Sequence, residues 1–115
     1  MLDLAGAAQA PYFDGRPLTP LLGGTDPASW RTGALIERHA SSEGKNTPDD
    51  EGIRTAGRSY VEYAAGERKL YNLAEDPYEL TNSYNPDAQP AALASRLQVL
   101  KGCAGAACRQ AEDGP

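Results

Sequence analysis

The sequence predicts an α+β fold: a four-stranded antiparallel sheet packed with one C-terminal amphipathic helix. Short apolar or alternating runs recur from Trp30 to Leu73, separated by brief polar breaks, as in an antiparallel meander. A single stretch, Ala91 to Lys101, carries helical spacing: Leu93, Leu97 and Leu100 follow i, i+4, i+7 and form one apolar stripe. One sheet and one helix make a two-layer arrangement.

The elements follow in order. Leu2 to Gly6 reads as the last turn of a helix stopped by Gly6, as if the chain began inside an element. Ala10 to Asp26 is rich in Gly and Pro, with a turn signal at Asp14-Gly15 and a short helical turn expected to dock through Leu18, Leu21 and Leu22. Trp30 to Arg38 is the first strand, centred on Ala34-Leu35-Ile36. Ser41 to Gly52 is a polar loop and should be the most mobile internal segment. Ile53 to Thr55 is a second short strand. Ser59 to Tyr63 is the third, with Val61 and Tyr63 on one face and Tyr60 and Glu62 on the other. Lys69 to Leu73 is the fourth, after a turn at Gly66. In Asp76-Pro77-Tyr78-Glu79 the spacing is that of a capping box, with Asn82 placed to end the turn. Pro90 suits the first position of the C-terminal helix and Gly102 its stop.

Composition bounds the function. Leu, Ile, Val and Phe total 17 of 115 residues, about 15%, below the roughly 20% of well-cored chains. The net charge of -5 is too modest for full disorder, so the sequence describes a thin-cored module that leans on a larger surface. An acidic chain offers no footprint for nucleic acid and no attraction to an anionic membrane surface. No apolar run approaches the roughly 20 residues of a spanning helix. Met1 to Ala10 lacks a basic leading region and is interrupted by Asp3, so it is not read as an export signal. Cys103 and Cys108 are the two cysteines. One local disulfide in an oxidising compartment suits them; the other reading is two unpaired thiols.

The residue order also resembles that of type I, formylglycine-dependent sulfatases, of the arylsulfatase and N-acetylglucosamine-6-sulfatase kind. The matching pieces are Asp14-Gly15-x-x-Leu18-x-Pro20-Leu21-Leu22, Trp30-Arg31, Ile53-Arg54-Thr55, Tyr60-Val61-Glu62-Tyr63 and Gly66-Glu67. Strongest is Leu70-Tyr71-Asn72-Leu73-x-x-Asp76-Pro77-Tyr78-Glu79-Leu80-x-Asn82, which looks like the signature near the family's C-terminus, with Asn72 where Asp is usual. The ending Cys103-x-Gly105-x-x-Cys108-Arg109 is similar to the tail of secreted members. The resemblance implies the small C-terminal subdomain of an alkaline-phosphatase-like fold. Residues 1–29 would be a helix end and linker leaving a catalytic domain, 30–109 the subdomain and 110–115 a flexible tail. It implies a secreted or periplasmic parent enzyme, with the N-terminal catalytic domain as partner and calcium and formylglycine as cofactors, both outside this chain. Isolated, the module is expected to self-associate or to be only marginally stable.

The resemblance does not bring catalysis with it. The family makes its nucleophile from Cys or Ser in Cys/Ser-x-Pro-x-Arg, and no Cys or Ser here is followed two positions later by Pro. No catalytic, cofactor-binding or metal-ligating residue is therefore expected in this chain. Asp49-Asp50-Glu51-Gly52 imitates the family's calcium-binding Asp-Asp-x-Gly, but follows a polar loop and reads as a solvated charge run. His39, the only histidine, is the candidate for facing a cleft, against a plain solvent-facing loop residue. Tyr60, Tyr63, Tyr71 and Tyr78 read as sheet packing rather than a sugar-stacking surface. Trp30 reads as an anchor against another domain. A reading of a different class is a free-standing protein- or glycan-interaction module with the same fold.

Overall fold

In the computed structural model, residues 3–24, 27, 29–39 and 48–114 are described. A short helix, α1 (Thr19–Leu22), precedes four strands: β1 (Gly33–Arg38), β2 (Asp50–Thr55), β3 (Arg58–Tyr63) and β4 (Arg68–Asn72). A 3-10 turn at Pro86–Ala88 then leads into α2 (Ala91–Gly102) and α3 (Ala106–Glu112). The strands form one sheet in the order β1-β2-β3-β4, each antiparallel to the next. The predicted α+β meander is therefore the observed architecture.

The register explains where the core sits. Leu35 pairs with Ile53, Ile53 with Tyr60 and Tyr60 with Leu70, so one row across all four strands points to one face. Helix α2 lies on that face and contributes Leu97 and Leu100, with Leu93, Ala94, Tyr84 and Ala111 packed at the margin. Leu97 is fully buried, which is worth about 2–3 kcal/mol against exposure. The expected split of β3 holds: Tyr60 is in the core and its hydroxyl donates to Glu62 on the same face, 2.8 Å away. Gly52 is needed where it stands, because a Cβ there would meet the Tyr60 carbonyl oxygen at 2.9 Å.

Several elements differ from the sequence expectation. Strand β2 begins at Asp50, not Ile53: pairing of Asp50 with Arg38 and Tyr63 draws a polar Asp-Glu-Gly run of low strand preference into the ladder. The rest of the expected mobile loop, Ser41 to Thr47, lies outside the described residues. Asp3 to Gly6 is a tight turn rather than a helix end, closed by the Gly6 N–H to Asp3 at 3.1 Å. Leu18, Leu21 and Leu22 of the α1 region do not dock; all three are exposed.

The capping box is replaced by a loop in which the Asp76 carboxylate accepts from the N–H groups of Leu80 (3.0 Å) and Thr81 (2.8 Å). Those bonds hold the Asp76 carboxyl below its ordinary pKa. Glu79, not Asn82, takes the left-handed backbone (φ 56) and pairs with Arg54 of β2. Asn82 instead closes the edge of β4. Its Oδ1 accepts from the Leu70 N–H and its Nδ2 donates to the Arg68 carbonyl, both at 3.0 Å, while the Ser83 N–H donates to the Leu70 carbonyl at 2.9 Å.

Helix α2 includes Gly102, expected as its stop, and Pro90 caps it from outside. Helix α3 has no counterpart in the sequence expectation, and residues 110–112, expected in a flexible tail, lie within it.

Candidate functional site: a strapped N-terminal arm and the charged end of the sheet

Residues 3–24 form an arm that closes on itself and is fastened to the C-terminal end of the chain. Within it, Thr19 bonds Asp3, and the Gln9 side chain donates to the Gly15 carbonyl at 2.6 Å. Asp14 then accepts from the Gly105 N–H at 2.6 Å, between the two cysteines. Arg109 donates to the Phe13 carbonyl. Arg16 reaches further: it donates to the Arg109 carbonyl at 2.7 Å, pairs with Glu112 at 3.1 Å and Asp113 at 2.8 Å, and lies 5.6 Å over the Trp30 ring. Asp113 first, opposed by burial and aided by Glu112, raises the Arg16 pKa further. Trp30 thus serves as a half-buried platform for this guanidinium.

The closed C-terminal loop makes these contacts possible. The Cys103 and Cys108 sulfurs lie at bonding distance, 2.02 Å, as the disulfide reading expects. Gly105, within that loop, adopts φ 58 and ψ -126, a conformation available to glycine alone, and a Cβ would meet the Pro11 carbonyl oxygen at 2.5 Å. The other end of α3 is held by Arg96, which donates to the Glu112 carbonyl and to Thr32, both at 2.7 Å.

The arm's outer surface is apolar. Leu4, Tyr12, Phe13, Leu18, Leu21 and Leu22 are all exposed, Tyr12 and Leu22 by 70% or more. Surface area supports the same reading. The chain exposes 7851 Å2, whereas a compact monomer of this mass exposes about 6,100 Å2. Its radius of gyration, 16.2 Å, exceeds the roughly 13 Å of a compact domain of this length. The outer sheet face is mixed: Ser59 and Tyr71 are buried, whereas Ile36 is half exposed. Burial raises the Tyr71 pKa.

At the opposite end of β1, His39 is exposed beside a cavity of about 250 Å3. Arg38, Asp50, Glu51, Glu62 and Lys101 also line it. Asp50 pairs with Arg38 (2.6 Å) and Glu51 with Lys101, so Asp50 and Glu51 are strand-borne ion pairs rather than a solvated loop run. Glu62 accepts from Tyr60, receives the Gln98 amide at 3.3 Å and faces Arg68 at 3.6 Å. Burial, then Glu62, pushes the Tyr60 hydroxyl up to about 12. Each of these three carboxylates is engaged by a neighbouring side chain. Among the described residues, no group of three or more His, Cys, Asp or Glu side chains converges as a metal site requires. Of the four tyrosines read as sheet packing, Tyr60 and Tyr71 are buried and Tyr63 is half-buried against Lys69, but Tyr78 is 82% exposed.

No protein-family model matches this chain, and no curated protein does. Solved structures do. BT4656, solved with its substrate D-glucosamine-2-N,6-O-disulfate, is 24% identical with a TM-score of 0.70, over 87% of this chain and 21% of its own. A provisionally assigned sulfatase from Bacteroides thetaiotaomicron VPI-5482 is 24% identical with a TM-score of 0.67, over 97% and 23%. The phosphonate monoester hydrolase of Agrobacterium radiobacter is 29% identical with a TM-score of 0.62, over 87% and 22%. The chain thus has a sulfatase-like fold and spans about a fifth of the length of these proteins.

The arm's anchors, Asp14, Arg16, Gly105, Arg109 and Glu112, were not singled out as site residues from the sequence. Their partners lie more than 90 positions away, and only the glycine between two cysteines hints at the strap.

Proposed function

We propose that this chain is the C-terminal structural subdomain of a sulfate-ester hydrolase, supporting that enzyme's fold and one wall of its active-site cleft, without hydrolytic activity of its own. The observation that carries this reading is the structural likeness: nearly the whole chain matches a fifth of each of three solved proteins, two of them named for sulfate chemistry. The apolar arm and the thin core fit a module completed by a larger domain. In this reading, the partner is the catalytic domain, and it carries the formylglycine and calcium. The disulfide fits a secreted or periplasmic enzyme.

The test has two parts. The purified chain, with or without calcium, should not turn over an aryl sulfate; reproducible turnover by clean protein would sink the proposal. Sedimentation at several concentrations, with a hydrophobic dye, should show self-association or dye binding. A stable, dye-negative monomer, together with no nucleophile motif in frame upstream of Met1, would favour the interaction-module reading.

A further inference from the structure

We propose that the Cys103–Cys108 disulfide is a redox-sensitive latch that holds the N-terminal arm against the C-terminal helices, and that its reduction releases the arm while the sheet stays folded. The inference is independent of the sulfatase reading.

Its basis is where the arm is fastened. The loop closed by the disulfide presents the Gly105 N–H to Asp14 and packs Gly105 against the Pro11 carbonyl. Arg109, one residue past Cys108, holds the Phe13 carbonyl, and Arg16 holds the Arg109 carbonyl. Asp14 thus depends directly on the six-residue loop closed by the Cys103–Cys108 link, while Phe13 and Arg16 are held by Arg109, Glu112 and Asp113 on α3 and its end, the helix that the link ties to the loop at Cys108. The core does not. Ile53, Tyr60, Leu70, Leu97 and Leu100 pack together without either cysteine.

The disulfide is also reachable. A cavity of about 430 Å3 beneath the arm is lined by both cysteines with Asp14, Leu35, Leu100 and Glu112. Cys103 is half-buried and Cys108 only 9% exposed, so Cys103 is the sulfur open to attack. A dithiol reductant attacks there as its thiolate, forming a mixed disulfide and expelling the Cys108 thiolate, which takes a proton. The reductant's second thiolate then closes its own disulfide and expels Cys103, which is protonated in turn. Two electrons and two protons pass to the protein, and the reductant leaves oxidised. Once the loop opens, Gly105 is no longer constrained to the conformation that meets Asp14, and the exposed leucines of the arm move with it.

The experiment is amide hydrogen exchange on the full chain, oxidised and after treatment with dithiothreitol, with free thiols counted by alkylation and intact mass. The Gly105 and Phe13 amides are bonded to Asp14 and Ala10. Their exchange should quicken about 30-fold, the loop-closure contribution of so short a ring. The amides of Ile53, Tyr60 and Leu70 should remain the most protected, quickening by no more than that same factor. The double variant Cys103→Ser/Cys108→Ser should match the reduced chain. Unchanged exchange at Gly105 and Phe13 with both thiols free overturns the latch. Loss of sheet protection together with the arm overturns it too, because the disulfide would then be a staple of the whole fold. If the double variant does not fold, the reduced wild-type chain alone gives the same two readings.

Discussion

Replacing Tyr60 by Phe should change the pH dependence of stability in a way that no loss of packing can imitate. The ring is 1% exposed in the core, and its hydroxyl donates to Glu62 at 2.8 Å. Burial and the neighbouring carboxylate both disfavour the phenolate, which pushes the pKa from 10.0 to about 12. Between those values the folded chain holds a proton that the unfolded chain has lost. The contribution is therefore complete below pH 10 and is lost as pH rises through about 12. Two units correspond to a loss on the order of 3 kcal/mol, at about 1.4 kcal/mol per unit. At neutral pH the Phe variant should be less stable by about 1–2 kcal/mol, because Glu62 loses a donor but keeps Arg68 and Gln98. Urea unfolding followed by circular dichroism from pH 7 to 11.5 should show the two stability curves converging and then crossing near pH 11. A constant difference across that range would refute the reasoning, since it would mean that the Tyr60 proton is not held by the fold.

Three further outcomes are expected. Leu97→Ala should cost about 2–5 kcal/mol in denaturant unfolding, because Leu97 is fully buried between α2 and the sheet. Gly105→Ala should cost about 1–3 kcal/mol and speed exchange at Gly105's neighbours, since the new Cβ meets a carbonyl oxygen and the backbone conformation favours glycine alone. Asp76→Ala should lower the melting temperature near pH 6, with the difference shrinking as the pH is taken down below 3.8: the lowered carboxyl pKa gives stability present above the ordinary value of 3.8 and lost as pH falls through the folded value.

The sheet was legible in the sequence because its information is local. Leu35, Ile53, Tyr60 and Leu70 each fall within a short strand-like run, and antiparallel pairing brings these residues side by side. The stripe Leu93, Leu97, Leu100 identified the helix that covers them. Helix α3 was not legible: its inward residues are Cys108 and Ala111, too small to register as an apolar period, although Ala, Arg, Gln and Glu all favour helix. Asp50 and Glu51 read as loop because their place in β2 comes from Arg38, Lys101 and the neighbouring strands, not from their own preference. The arm was hidden for a related reason. Asp14 reads only as a turn residue and Arg16 only as linker until the far end of the chain is folded beside them.

The treatment of the outer edge of β4 has a consequence for how copies of this chain can assemble. Asn82 and Ser83 use the outward backbone groups of Leu70 and the Arg68 carbonyl, much as a short fifth strand would. A sheet grows into a fibre only when both of its margins can recruit a neighbour. With the β4 margin occupied, recruitment is confined to the β1 side. Two copies joined there would present an occupied margin at each end, so polymerisation by strand addition stops at the pair.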